Sequence, residues 1–221
     1  MRPVRPGAWE RWAPLGGIGF AVLMVVAARL PGSPPKIDDP ARAVVAFVAD
    51  ERLELRVAAV VGGIATLGLL WWAGALWRQL APGENGGLAV VALVGLGIGV
   101  TALDVALGVQ AAVALRLEDL GPHAARFVFG LSRLVFDAGA FGFAALVGAA
   151  SLAARRAGTF PRLLSDAGLG LTLGWVVASY GLVDHGFVVD SLGPAVFVAW
   201  LVWVLAMSVV MLRAARASDR D

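Results

Sequence analysis

The chain alternates between long apolar stretches and short polar connections. Each apolar stretch is about as long as a helix must be to cross ~30 Å of hydrocarbon at 1.5 Å per residue. The connections contain the Pro, Gly and charged residues that end helices. The six stretches cover residues 13–30, 57–76, 88–115, 127–154, 167–187 and 191–212. The pattern therefore predicts an all-α, polytopic membrane protein with six transmembrane helices.

Residues 41–56 follow a different pattern, because their apolar and charged positions alternate with a helical period. The proline-rich segment 31–40 precedes them and cannot continue the first helix. Apolar side chains such as Val44 and Phe47 fall opposite charged ones such as Asp50. We therefore predict an amphipathic helix on the outer side, between transmembrane helices 1 and 2. We expect it to lie at the membrane surface and to do no more than anchor the second span.

The composition places this chain in lipid. Hydrophobic residues make up 59% of its 221 residues, and its mean hydropathy is +0.81. A water-soluble domain of this length cannot bury so much apolar surface, so we expect the lipid bilayer to be a partner. The formal net charge is only +2 and the arginines are dispersed, which excludes a nucleic-acid-binding patch. No linker divides the chain, so residues 1–221 are interpreted as a single integral membrane helical domain.

The residue types exclude several kinds of chemistry. The chain has no cysteine, which excludes disulfides, thiolate catalysis and cysteine-based metal sites. Lys36 is the only lysine and lies in a connection, which excludes an intramembrane Schiff base of the retinal type. The histidines are His123 and His185, and no ligand spacing around them supports a metal or haem site. We therefore predict no metal and no cofactor.

Basic residues at the ends of the stretches predict the orientation. An N-terminus in the cytoplasm also places Arg155, Arg156 and Arg162 on the cytoplasmic side, with the arginines near both termini. Fewer basic residues fall on the other side, where acidic residues accompany them. By the positive-inside rule we predict a bacterial inner-membrane protein with both termini in the cytoplasm.

The first stretch has an alternative interpretation. Residues 26–28, Val-Ala-Ala, resemble the small-residue cleavage site of a secretory signal peptide. We expect residues 13–30 to remain as an uncleaved first span.

Three charged residues, Asp104, Arg133 and Asp137, fall inside the third and fourth stretches. An ionised side chain at mid-bilayer costs roughly 2.5–3.5 kcal/mol unless it is paired or hydrated. Arg133 and Asp137 are spaced to share one helix face, and Asp104 is predicted at a similar depth on the antiparallel neighbour. We therefore predict a triad in which Arg133 lies between the two carboxylates.

The triad has two interpretations. A buried arginine–aspartate cluster can fix the register of packed helices without binding any ligand. Alternatively, two neighbouring carboxylates in a medium of low dielectric favour the uptake of a proton or a cation. The cluster is therefore a candidate ion or proton site, and the residue types do not decide between the two interpretations.

A second polar group, Tyr180, Asp184 and His185, occurs at the outer end of the fifth stretch. Tyr180 and Asp184 are spaced to hydrogen-bond on one helix face, and His185 is of a type that titrates near neutral pH. We interpret these residues as boundary residues that face water. The alternative is that Asp184 and His185, together with Arg56 and the triad, line a vestibule that opens to the outer side.

An enzyme is a further alternative. Ser132 in the fourth stretch and His185 in the fifth resemble, in outline, the Ser–His dyad of rhomboid proteases. The motif of those proteases continues with glycine after the serine, whereas Arg133 follows here. We therefore expect no catalytic residues and interpret Ser132 as a packing residue.

The general layout resembles uncharacterised multi-pass membrane proteins of actinobacteria. The likeness is carried by the tryptophan-rich start, the segment PGSPPKIDDP and the connection TFPRLLSDAGLGL. The run FPRLL at residues 160–164 is similar to an inner loop in a bacterial membrane family of unknown function. The resemblance implies the six-span topology and a cytoplasmic Arg162, and it implies no activity.

These observations favour a non-enzymatic accessory or sensing component of the inner membrane. Its charged interior and outer loop would meet a lipid, a small ligand, a membrane-protein partner or a second copy of the chain. The rival function is a small proton- or cation-coupled transporter that uses Asp104, Arg133 and Asp137. Transporters commonly break helices near mid-membrane, and no proline interrupts the second to fifth stretches, which disfavours transport.

Overall fold

The computed structural model describes residues 8–36, 38–81, 83–183 and 187–217. Helices account for nearly all of this part, which contains no strand. Six helices are long and apolar enough to cross a membrane, so the all-α, polytopic fold is confirmed. The helices of the described residues are α1 (Ala8–Arg29), α2 (Ala41–Asp50), α3 (Arg52–Leu80), α4 (Gly86–Arg116), α5 (Pro122–Ala157), α6 (Arg162–Ala178) and α7 (Phe187–Ala217). Short 3₁₀ turns cover Gly83–Asn85, Leu117–Asp119 and Ser179–Leu182.

The six long helices form a closed ring whose order follows the chain. Each packs beside the next, from α1 and α3 through α4, α5 and α6 to α7, and α7 returns to contact α1. Successive long helices run in opposite directions, so the start of α1 and the end of α7 lie at the same end of the ring. We call this end the termini end, and the opposite end the α2 end.

The outer surface of the ring is apolar, as a lipid-facing surface must be. On α3, Val60, Ile64, Leu67 and Trp71 are exposed at the spacing of a single helix face. Other long helices also expose apolar side chains, among them Ile98 on α4. These faces have no partner within the described residues and identify a multi-pass membrane protein.

Aromatic side chains fill the inside of the ring. The ring of Phe143 packs against Trp200 and Trp175 with centroid separations of 4.4 and 5.0 Å, and Phe20 of α1 meets Trp200 at 5.2 Å. Trp175 and Trp200 are almost completely buried. Inward-facing tryptophans of α6 and α7 therefore hold the helices together by packing.

Glycines allow α4 and α5 to approach closely. A Cβ atom built on Gly95 would lie 2.7 Å from the carbonyl oxygen of Gly142, and one on Gly142 would lie 2.5 Å from the backbone nitrogen of Gly99. The two backbones are thus in direct contact, as small-residue spacing predicts. Gly170 of α6 makes no such contact, since a Cβ added there meets open space.

The amphipathic helix is present, but its predicted boundaries and location need correction. The helical segment breaks at Glu51 (φ −107°, ψ 26°), so α2 ends at Asp50 and α3 begins at Arg52. The apolar face of α2 does not lie on lipid: Val44 and Val48 are buried in a cluster with side chains of α3, α4 and α5. The ring of Phe47 packs edge-on against Phe129 of α5 at 5.9 Å. The helix is therefore a lid on the α2 end of the ring, because this end offers its apolar face a better-packed surface than lipid does.

Candidate functional site: a capped cavity at the α2 end

A cavity of about 250 Å³ lies beneath α2 and the segment 31–36. Five of the long helices contribute to its wall, and α2 and the proline-rich segment partly cover it. Its apolar wall includes Met24, Phe47, Leu103, Leu107, Phe129 and Phe197. We call this space the capped cavity.

The polar side chains of the capped cavity are all able to donate hydrogen bonds. Lys36 contributes from the segment above, Gln110 from α4, and Arg126, Ser132 and Arg133 from α5. No carboxylate occurs among the described residues of the lining. Three of these described side chains are cationic, and both arginines among them already have interaction partners.

Two of these polar groups are already held in place by hydrogen bonds. The Ser132 hydroxyl donates to the carbonyl oxygen of Phe129 at 2.6 Å, and it accepts from Nε2 of Gln110 at 3.3 Å. Because the Ser132 hydroxyl donates to its own helix and accepts from Gln110 of α4, it links α4 to α5. The bond also fixes the amide of Gln110 at the cavity wall.

A shallower groove opens on the outside of α5, next to the capped cavity. It is lined by Asp38, His123, Phe127, Leu131 and Leu134, and it shares Arg126 and Gly130 with the capped cavity. Phe127 and Leu131 are exposed on the lipid-facing surface of α5. We call this depression the α5 groove. Arg126 and Gly130 thus separate the inside of the ring from its lipid-facing surface.

The predicted triad is wrong, because Asp104 does not meet Arg133. At about 100° per residue, Asp104 lies roughly 180° around α4 from Gly95, which contacts α5. The side chain instead faces α3, where Oδ2 lies 3.3 Å from the Thr66 hydroxyl. Its Oδ1 atom is buried without a hydrogen-bond partner among the described residues.

Arg133 and Asp137 remain on the fourth span, and both have interaction partners. The side chain of Arg133 lines the capped cavity, whereas Asp137 is not among its described lining residues. Asp137 lies about 20° around α5 from Gly148, which faces Thr172 of α6. Arg133 and Asp137 are about 40° apart around α5 and so share one face of the helix, as predicted.

The residues considered for a vestibule are not all found at the capped cavity. Arg56 is exposed on α3 and does not line the capped cavity, whereas Leu55, its neighbour in sequence, does. Tyr180 lies in the 3₁₀ turn after α6 and is 52% exposed. Asp184 and His185 lie outside the described residues. Within the described part of the chain, no group of three or more histidine, aspartate or glutamate side chains is arranged to hold a metal ion.

The sequence pattern did not single out Lys36, Gln110 or Arg126 as site residues. Lys36 lies in a connection and Arg126 directly precedes the fourth apolar stretch, positions where basic residues are expected to face water. Gln110 carried a usable signal, since it is a polar side chain inside the third stretch on the same helix face as Leu103 and Leu107. Their convergence depends on α2 and the segment 31–36 folding over the ring, which spacing alone does not predict.

The comparisons with known proteins add no relative. Protein-family models, curated protein sequences and solved structures were compared with the chain, and none matches it. The resemblance to actinobacterial membrane proteins therefore stays a prediction, and the function must be argued from the site.

Proposed function

We propose that this protein is a non-enzymatic sensing component of a bacterial inner membrane that binds a ligand in the capped cavity. The observation that carries the proposal is a concave cavity that an amphipathic helix partly covers and that is lined by both apolar and polar groups. Concave, mainly apolar pockets with a few convergent polar groups are typical ligand sites. The described lining offers donors and packing surface, and these suit recognition better than bond-breaking chemistry.

The helix α2 connects the capped cavity to the protein surface. Val44 and Phe47 line the capped cavity from the buried face of α2. The opposite face of α2 is exposed. Arg52, the first residue of α3, donates a hydrogen bond of 3.0 Å to Glu118 in the 3₁₀ turn after α4. A ligand that changes the packing under α2 would therefore change the surface that a membrane-protein partner or a second copy of the chain meets.

Filling the capped cavity tests this function. Ala58 of α3 lines the cavity and is 4% exposed, so Ala58→Phe places a ring in the space that a ligand would occupy. We expect native mass spectrometry of the wild-type protein, released from membranes in mild detergent, to detect a non-covalent small-molecule adduct. We expect Ala58→Phe to lose at least about nine-tenths of that adduct, because the added ring excludes it sterically.

The matched control is Val60→Phe, which adds a ring to the lipid-facing side of the same helix, where Val60 is 63% exposed. It should keep the adduct. A wild-type protein without any adduct, or an adduct of equal abundance in Ala58→Phe, would contradict ligand binding in this cavity.

The inner-membrane location and the cytoplasmic termini belong to the same proposal. They are supported by the arginines at the termini end, where Arg155 pairs with Asp166 beside Arg156. The family resemblance of the inner loop, at Phe160 and Arg162, agrees with this orientation.

Single cysteines can test the orientation, because the chain contains no cysteine of its own. Ser33 is exposed at the α2 end and Thr159 is exposed at the termini end. In intact cells a membrane-impermeant maleimide should label Ser33→Cys at least about tenfold faster than Thr159→Cys, because the bilayer excludes the charged reagent. Opening the cells should equalise the two rates. Labelling of Thr159→Cys alone in intact cells would indicate the opposite orientation.

A second candidate function, proton-coupled transport, is favoured by one observation. Asp104 and Thr66 interact near the middle of their spans, about 18 Å from the end of α4 at Arg116. The helices that carry them, α3 and α4, are continuous through this depth, and among the described residues no broken helix lines a path to Asp104. This candidate therefore ranks second, and the Asp104 variants described below test it.

A further inference from the structure

We propose that the ligand of the capped cavity is a neutral, medium-chain alcohol whose hydroxyl group bonds to the side-chain amide of Gln110. The proposal rests on the function proposed above and names the class of ligand. Three features carry it: the orientation of the Gln110 amide, the charges of the lining, and the size of the apolar space beside Gln110.

The hydrogen bonds of Ser132 fix the orientation of the Gln110 amide. A serine hydroxyl has one proton, and Ser132 donates it to the carbonyl oxygen of Phe129 at 2.6 Å. The Ser132 oxygen can therefore only accept from Gln110, so the atom that faces it at 3.3 Å must be the amide nitrogen Nε2. The opposite orientation would place two acceptors against each other.

This orientation leaves the amide oxygen of Gln110, Oε1, as an acceptor at the cavity wall. Among the described residues no group donates a hydrogen bond to Oε1. Gln110 lines the cavity, and Oε1 remains accessible, since it does not belong to the fully buried polar atoms without a partner. A ligand that donates a hydrogen bond would satisfy this oxygen, whereas an ether, ester or ketone of the same shape would leave it unsatisfied.

The charges of the lining favour a neutral donor. Lys36, Arg126 and Arg133 are cationic, so an ammonium group would be repelled. Both arginines already have interaction partners, and Lys36 is exposed to water, so none of the three requires an anionic ligand. A hydroxyl brings a single proton, which Oε1 accepts, whereas a primary amide brings two N–H groups and leaves one to be satisfied elsewhere.

The wall beside Gln110 suits a hydrocarbon chain. Leu107 and Leu103 precede Gln110 on the same face of α4, toward the middle of the span, and Phe197 of α7 lines the same space. The cavity has a volume of about 250 Å³. An apolar cavity of ~150 Å³ holds benzene, so this volume corresponds to roughly ten non-hydrogen atoms by the same ratio. An alcohol with about eight carbons therefore fills the apolar space and places its hydroxyl at Gln110.

The test uses the full-length protein in phosphatidylcholine nanodiscs and, as the probe, octanol with a photoreactive diazirine in its chain. Mass spectrometry of the digested protein identifies the labelled residues, and we expect adducts on wall residues such as Leu107 and Phe129. Competitors are compared at equal concentrations in the bilayer. 1-Octanol should compete about fivefold better than heptyl methyl ether, which has the same size but no hydroxyl proton, because one hydrogen bond is worth roughly that factor. Octanoate and octylammonium should compete no better than the ether.

Three variants locate the hydrogen bond. Gln110→Leu should keep the cavity adducts but remove the preference for the alcohol over the ether, because the apolar wall remains and the acceptor is lost. It leaves no buried donor unsatisfied, since Ser132 still donates to Phe129. Ser132→Ala should lower the preference in part, because the amide of Gln110 is then no longer held in one orientation. The matched control Gln79→Leu, near the end of α3 and outside the described cavity lining, should keep the fivefold preference.

Several results would overturn the inference. Equal competition by alcohol and ether on the wild type, or a preference that survives Gln110→Leu, would mean that Gln110 does not bind the hydroxyl. Stronger competition by octanoate than by octanol would indicate an anionic ligand instead. If Gln110→Leu fails to fold, the alcohol–ether comparison on the wild type still decides.

Failure of the ligand class and failure of the proposed function give different results. Cavity adducts without preference for the alcohol, or a cavity that the probe does not label while the native adduct lost in Ala58→Phe is still detected, would refute the alcohol alone. The absence of both the native adduct and the probe adducts would refute ligand binding in the capped cavity itself.

Discussion

Replacing Gly142 with leucine is expected to destabilise the ring more than any other single substitution considered. A Cβ at this position would lie 2.5 Å from the backbone nitrogen of Gly99 and 2.7 Å from the carbonyl oxygen of Gly95. Backbone atoms cannot move aside by changing rotamer, so α4 and α5 must separate along their contact. We expect the free energy of unfolding to fall by at least about 3 kcal/mol, measured by tryptophan emission during denaturation in mixed micelles.

The matched control is Gly97→Ala on α4, where an added Cβ meets open space. Alanine favours a helix over glycine by up to about 1 kcal/mol, so this variant should be as stable as the wild type or slightly more stable. A Gly142→Leu protein of wild-type stability would mean that α4 and α5 do not approach at these glycines.

The span-level architecture was predictable because the bilayer imposes a strong constraint on sequence. Six stretches are long and apolar enough to be recognised as spans without knowing which helices they pack against. The close contact at Gly95 and Gly99 follows from the small size of glycine. The closure of the ring by α1 and α7 was not predictable, because it depends on side chains such as Phe20 and Trp200 that are far apart in sequence.

The location of α2 shows where the sequence pattern was ambiguous. An amphipathic face is consistent with burial against lipid headgroups and equally with burial against protein. Val44 and Val48 satisfy the same pattern in both cases, and the choice depends on whether the α2 end of the ring offers a complementary surface. It does, through Leu55, Val113 and Phe129.

Of the three residues predicted to form a triad, Arg133 lines the capped cavity. Its intramembrane charge drew attention to it, since a costly residue must turn inward or toward water. The prediction of the triad is wrong because the sequence indicates how deep a residue lies in the membrane but not how its helix is rotated about its axis. Asp104 and Arg133 are at similar depths, but the α4–α5 contact through Gly95 and Gly142 fixes a rotation that points Asp104 at α3.

Replacing Asp104 with leucine is expected to stabilise the protein by about 2–3 kcal/mol. Asp104 lies near mid-bilayer, where a charged side chain is unfavourable by a similar amount, and its described hydrogen-bond partner is only the Thr66 hydroxyl. Thr66 keeps a bond to the carbonyl oxygen of Gly63 at 2.8 Å, so the substitution leaves no buried donor unsatisfied. The measurement is the same denaturation experiment used for Gly142.

Thr66→Val provides the matched comparison through a double-mutant cycle. Alone it removes the described partner of Asp104 and should destabilise the protein by about 1 kcal/mol, and in the Asp104→Leu background its effect should fall close to zero. A loss of stability in Asp104→Leu would mean that the carboxylate holds the bundle together, against the geometry at Thr66.

The same position decides between sensing and transport. If Asp104 carried protons, proteoliposomes containing the wild-type protein and a pH-sensitive dye would show proton flux, and Asp104→Asn would abolish it while keeping the fold. A sensing component predicts that wild type and Asp104→Asn both remain at the level of empty vesicles, because no described path connects Asp104 to water across the continuous helices α3 and α4. Flux that depends on Asp104 would therefore replace the sensing function with transport, whatever the capped cavity binds.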